Sequence, residues 1–113
     1  LVFNASFSSS VPHFGPGESH GLIAPLYYMD TLAGVNFMPE EYVDVTGTIE
    51  RKLEAVSMHE SQVKWMLDHD GIDFIDFVRT VSKFRGLQSG VRFAEGFRSC
   101  RTWPRQTTNR LLP

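Results

Sequence analysis

The strongest periodic signal in the chain lies between residues 46 and 70, where Ile49, Leu53, Val56, Val63 and Leu67 keep helical spacing with Met66 beside the stripe. Such spacing puts one apolar face along a long amphipathic helix. Thr46 or Thr48 offers the N-cap oxygen, and Asp70-Gly71 offers the stop. A second helix is predicted over residues 73–85, with Phe74, Phe77, Val78, Val81 and Phe84 inward and Gly86 at its end. The two helices read as an αα-hairpin. At the start of the chain Leu1, Val2 and Ala5, with Phe3 and Phe7, predict a short helix that the serines at 8–10 and Pro12 end.

The extended segments carry a different pattern. Residues 22–29 are almost continuously apolar and β-rich, which predicts a strand buried on both faces of a mainly parallel sheet. Pro25 has no N–H to give to a ladder, so the ordered strand is predicted at or after it. Residues 42–45 read as a second short strand. Residues 91–97 alternate, which would place Val91, Phe93, Glu95 and Phe97 on one face. Between these elements, residues 8–21 form a long Ser/Gly/Pro loop of the kind that is often functional, and residues 31–41 form a connection containing Gly34 and Pro39. The order of elements predicts an α/β portion over residues 1–98, followed by an extended Arg-rich tail over residues 99–113.

Composition narrows the function classes. With 113 residues, 42% of them apolar and including nine Phe, three Tyr and two Trp, the chain can build one core and does not read as disordered. Eleven basic and 13 acidic residues give a net charge of −2, which offers no general attraction to nucleic acid or to an anionic membrane. From Arg98 to the end there are four arginines, Arg98, Arg101, Arg105 and Arg110, and no Asp or Glu. Without lysines or a recognised nucleic-acid fold, even with Trp103 as a stacking platform, that thin patch reads as a clamp on a neighbouring subunit. Cys100 is the only cysteine, which excludes an intramolecular disulfide and predicts a reducing, cytoplasmic setting. No stretch approaches the ~20 apolar residues a bilayer span needs, and no signal peptide is legible at the start. The chain opens on Leu1 within a helical pattern, which predicts numbering that begins inside a longer reading frame.

Candidate chemistry is sparse. His13 and His20 share one loop with Glu18 between them, but their spacing fits no known zinc pattern, and the alternatives are solvated loop residues or weak metal ligands. His59 and His69, ten residues apart on one predicted helix, would lie about 15 Å apart and cannot share an ion. Glu95 is the odd member of an apolar face. It either pairs with Arg85 or Arg92, or lines a site. Asp30, with Thr31 and Asn36, follows a strand, where open α/β sheets bind ligands, and is a candidate for a substrate-facing rim. Asp44 reads as a helix-capping residue. There is no Gly-x-Ser-x-Gly elbow and no phosphate-binding glycine loop.

As a set, several short segments carry a resemblance. Tyr28-Met29-Asp30 closes an apolar strand, Tyr42-Val43-Asp44 precedes the long helix, and that helix holds Lys52 and His59-x-Ser61-Gln62. Arg85-Gly86, Gly90 and Ala94-Glu95-x-Phe97 follow the second helix. In this order they resemble the C-terminal half of the PIG-L/LmbE-like family of N-acetylglucosamine deacetylases. The resemblance implies a Rossmann-like, mainly parallel sheet and hydrolysis of an acetamide by metal-activated water, usually on zinc.

The family draws its metal ligands and general base from a Pro-His-Pro-Asp-Asp-Glu-like motif and a His-Pro-Asp-His-like motif, and neither occurs here. The expectation is therefore the C-terminal scaffold fragment of a zinc-dependent carbohydrate N-deacetylase, inactive alone. It would carry no catalytic residue and no metal of its own. Its partners would be the N-terminal catalytic half, an acetylated amino sugar and further copies of itself. The alternatives are a non-catalytic binding or oligomerisation module, or one subunit of a split deacetylase.

Overall fold

Asp73 shows how local sequence sets the frame of the molecule. Its Oδ1 accepts hydrogen bonds from the N–H groups of Ile75 and Asp76, 3.0 Å each, so it caps the first turn of a helix that runs from Phe74 to Ser89. The computed structural model describes residues 1–105, and in chain order its elements are α1 (Val2–Ser8), β1 (Tyr27–Met29), β2 (Glu41–Asp44), α2 (Ile49–Ser57), α3 (Glu60–Asp70), α4 (Phe74–Ser89) and β3 (Ala94–Ser99). The described residues fall into two units: residues 1–28 with 99–105, and residues 29–98.

In the second unit the predicted long helix is two helices. α2 ends at Ser57 and α3 begins at Glu60, with His59 at the non-helical φ −84°, ψ 54°. The reason lies in packing. Ile49 and Leu53 of α2 are buried, whereas α3 buries no residue, so nothing fastens the segment between Val56 and Val63 as one rod. The Ser57 hydroxyl also donates to Glu54 O at 2.7 Å, a local bond of the kind that competes with helix continuation. Gly71, at φ 68°, closes α3 in the left-handed conformation that the Asp-Gly pair predicted.

α4 outruns its prediction by a full turn, ending at Gly90 instead of Gly86. Gly86 stays helical because the chain beyond the helix packs directly on it. A Cβ there would lie 2.7 Å from Val91 O and from the carbonyl of Arg92. The N–H of Val91 donates back to Gly86 O at 3.0 Å, so residues 91–92 are held against α4 and the strand starts later, at Ala94.

The mixture of helix and strand matches the α/β expectation, but the sheet does not match the predicted parallel arrangement. Its three strands lie in the order β1-β3-β2. β2 and β3 run antiparallel with Glu41 opposite Phe97 and Asp44 opposite Ala94. Asp30 N–H donates to Gly96 O and Cys100 N–H donates to Leu26 O, so residue numbers fall along β3 as they rise along β1, again the antiparallel pattern. Of the apolar run 22–29 only Tyr27–Met29 is strand, and all three residues are exposed. An apolar run becomes a doubly buried strand only where layers cover both faces, and the described residues supply no such cover to β1.

The core is small and local. Val45, Ile49, Leu53 and Phe93 are buried together, with Ile75 and Val78 packed against them. Each fully buried side chain of this size contributes roughly 1.5–3 kcal/mol, and together they join α2 to α4 and to the entry of β3. In the first unit, α1 is followed by the expected loop, which the His20 N–H closes onto Ser9 O at 2.8 Å. The tail reading falls partly on residues 106–113, which lie outside the described residues.

Candidate functional site

Three polar residues stand at positions where the helices of the second unit should be apolar. Lys52 follows Ile49 by three residues and precedes Val56 by four, so it lies on the buried stripe of α2. Ser82 and Arg85 follow Val78 and Val81 by four and lie on the inward face of α4 in the same way. They border a cavity of about 210 Å³ enclosed by the chain after β1, by α2, by α4 and by β3.

Lys52 spans the cavity. Its Nζ lies 2.7 Å from Glu95 Oε1 on β3 and donates to Ser82 Oγ at 3.1 Å. The two charged side chains are 31% and 26% exposed, so the pair sits at the mouth in partial contact with solvent, while Ser82 is 2% exposed. Apolar Val56, Val78 and Val81 line the remainder. The Ser82–Lys52 contact is not a nucleophile and its base, because the ammonium donates to both Ser82 and the Glu95 carboxylate. The arrangement presents one cationic donor and one anionic acceptor side by side over an apolar floor, which suits holding a polar group more than breaking a bond.

Arg85 fixes the back wall. Its guanidinium grips the Asp30 carboxylate through Nε to Oδ2 at 2.5 Å and Nη2 to Oδ1 at 3.0 Å. It also reaches Phe37 O through Nη2 at 3.2 Å and Gln88 Oε1 through Nη1 at 2.8 Å. One side chain, 3% exposed, thereby ties α4 to the loop after β1. Gly34 is needed in that loop on two counts: its φ is +71°, and a Cβ would stand 2.8 Å from Arg85 Nη2. Gly96 on β3 is equally tight, since a Cβ there would meet the Pro39 ring at 2.6 Å.

The sequence-predicted candidates meet different fates. Asp30 and Glu95 both line the cavity with Thr31, whereas Asn36, at φ 56°, does not. Asp30 lines it as the partner of Arg85. Glu95 pairs with Lys52 instead of Arg85 or Arg92, and the Arg92 guanidinium lies over the Phe93 ring at 5.5 Å. Thr31 Oγ1 donates to Val35 O at 3.2 Å. His13 and His20 are exposed loop residues of the first unit. His59 precedes α3, and His69 contacts Asp70 at 2.8 Å and stacks on Trp65. Among the described residues no three His, Cys, Asp or Glu side chains converge as metal ligands.

Two carboxyls and one thiol have lowered pKa values. The Asp44 carboxyl is held below its ordinary value by hydrogen bonds from the side chain and N–H of Thr46, the latter at 2.8 Å. Arg79 does the same to Glu50 through bonds of 2.8 and 3.2 Å. In the first unit the buried Cys100 thiol is lowered by Thr102 first, then by Tyr28, with Arg105 adding a favourable charge. Lys52 and Arg85 enter the sequence analysis only through the resemblance and as a possible partner of Glu95, and Ser82 not at all, although their place on the apolar stripes was a readable signal.

No known family profile matches the chain, and no solved structure does either. Among curated proteins, the chain is similar to the diacetylchitobiose deacetylase of Thermococcus kodakarensis, with 38% identity over 63 residues that cover 53% of this chain and 21% of that protein. The chain thus spans about a fifth of the length of the curated relative it matches. No helix among the described residues is long and apolar enough to cross a membrane.

Proposed function

We propose that this chain is a scaffold portion of a carbohydrate N-deacetylase that hydrolyses the acetamide of an acetylated amino sugar, and that it has no activity by itself. The observation that carries the reading is the 38% identity to a stretch of a diacetylchitobiose deacetylase. The PIG-L/LmbE-like order of short motifs adds to it, as does the role of the matching residues. Asp30, Lys52, Arg85 and Glu95 all take part in the two ion pairs that shape the cavity.

In this reading the zinc ligands, and the Rossmann-like parallel sheet that would hold them, belong to an N-terminal catalytic half. This chain contributes α2, α4 and β3 as a rigid wall. No step of the hydrolysis is assigned to its residues. β1 favours a scaffold role over a free-standing module, because a strand with every side chain exposed calls for a neighbouring layer. The neighbour is supplied either in frame or by a second subunit of a split enzyme. In this reading the protein is a cytoplasmic homo-oligomer.

The test compares this 113-residue chain with the product of the longest reading frame that contains it, using acetate release from N,N′-diacetylchitobiose and zinc content as readouts. Activity and stoichiometric zinc are expected in the longer product alone. Acetate release by the short chain would overturn the scaffold reading. A longer product that contains no His/Asp motifs and deacetylates only when mixed with a separate catalytic chain would select the split enzyme, and one inert under every condition would leave the binding module.

A further inference from the structure

The first unit contains a second cavity, independent of the one above. It measures about 410 Å³, and its walls include Phe3, Phe7, Phe14 and Trp103, with Arg105 among them. The volume falls within the ~300–1,000 Å³ usual for small-molecule sites. Phe7 and Trp103 meet at 6.5 Å between ring centroids in a tilted arrangement, and the Arg105 guanidinium carbon lies 4.8 Å from the Phe3 ring centre. Trp103 is 80% exposed and Phe14 70%, so two of the rings offer most of their surface to whatever enters.

Arg105 is the feature that needs an explanation. Its Nη2 donates to Ser6 Oγ, but Nε and Nη1 are shielded from solvent and have no hydrogen-bond partner among the described residues. Unmet donors of a buried charged group carry a large desolvation cost, and native structures rarely leave them so. Ser6 uses one Nη2 hydrogen. In either orientation one complete edge of the planar fork, Nε with Nη2 or Nη1 with Nη2, is left unmet, and a turn of the guanidinium toward the cavity would present it. Such an edge matches the two oxygens of a carboxylate.

We propose that this cavity binds a small monocarboxylate carried on a planar apolar body, with the carboxylate on Arg105 and the body against Trp103 and the phenylalanines. The two halves of the ligand follow from the two halves of the site. A cationic ligand would meet Arg105 charge to charge. A bare inorganic anion would satisfy the guanidinium but leave the aromatic walls in water, forgoing the burial that aromatic surfaces favour. A neutral aromatic would fill the walls and leave the donors unmet.

The test uses the full 113-residue chain carrying Trp65→Phe, so that Trp103 is the only indole, and follows its fluorescence during titration with phenylacetate. A saturable change is expected, weakened by about tenfold or more when phenylacetamide, of the same shape without the charge, replaces the acid. The affinity should also fall as salt is raised. Arg105→Met should abolish the response to phenylacetate. Should that variant fail to fold, the comparison of acid with amide on the parent chain decides alone. The proposal is overturned if phenylacetate gives no saturable response, if the amide binds as well, or if inorganic phosphate binds as tightly as phenylacetate.

Discussion

Asp30 and Arg85 are 55 residues apart in the chain, yet two hydrogen bonds of 2.5 and 3.0 Å join them around a guanidinium that is 3% exposed. A buried pair of this kind is costly to break from one side, because the remaining charge stays in a poorly solvated place. Asp30→Ala is expected to destabilise the chain by about 3–5 kcal/mol in urea unfolding. The double change Asp30→Leu with Arg85→Met should cost less than the two single changes added together. A fully additive cycle would show that the two side chains act independently.

The Lys52–Glu95 pair has a single contact of 2.7 Å and lies at the cavity mouth, where the two side chains are 31% and 26% exposed. Solvent and salt therefore screen it. Glu95→Gln is expected to cost about 1 kcal/mol or less, well below Asp30→Ala, and the cost should shrink further at high salt. An equal loss for the two variants would refute the distinction drawn between back wall and mouth.

Gly86 gives a prediction against the usual trend. In most helices alanine is more stable than glycine by about 1 kcal/mol. At this site the new methyl would meet main-chain atoms of residues 91 and 92 at 2.7 Å, and main chain cannot step aside as a flexible side chain can. Gly86→Ala should therefore be destabilising by about 1–3 kcal/mol. A raised melting temperature would show that residues 91–92 are not packed on α4.

The acid limb of stability should trace to Asp44 and Glu50. Both carboxyls are lowered from ordinary values of 3.8 and 4.5, so the folded chain binds these protons less readily than the unfolded one. Their contacts stabilise the fold above the ordinary values, and that contribution is lost as pH falls through the lowered ones. Asp44→Asn and Glu50→Gln should each flatten the decline in stability between about pH 5 and pH 2. The curves of the variants and the parent should converge at the acid end; parallel curves would exclude these two groups.

The start of α4, the stop after α3 and the short α1 were legible because each depends on neighbours in sequence, as Asp73 and Gly71 show. The break at Met58-His59 was not, since Val56 and Val63 are seven residues apart and keep helical phase across any gap between them. Periodicity records phase, while continuity depends on what lies opposite. The direction of the sheet was hidden for a related reason: an apolar run such as Leu22–Met29 shows a preference for cover but not which strand will lie beside it. The cavity was half visible. Asp30 and Glu95 stood out as carboxylates beside strands, but their partners are long cations on helix stripes, and no local pattern ties residue 30 to residue 85 or residue 52 to residue 95.

The contact between Gly34 and Arg85 also constrains how this chain can change over generations. A side chain at position 34 requires the guanidinium to leave first, and the guanidinium cannot leave while Asp30 remains beneath it without stranding a charge. Single mutational steps at any of the three positions lead downhill in fitness wherever stability is limiting. Positions 30, 34 and 85 therefore form an evolutionary block that is inherited whole or replaced whole, and the order in which such a replacement can occur is set by a 2.8 Å gap.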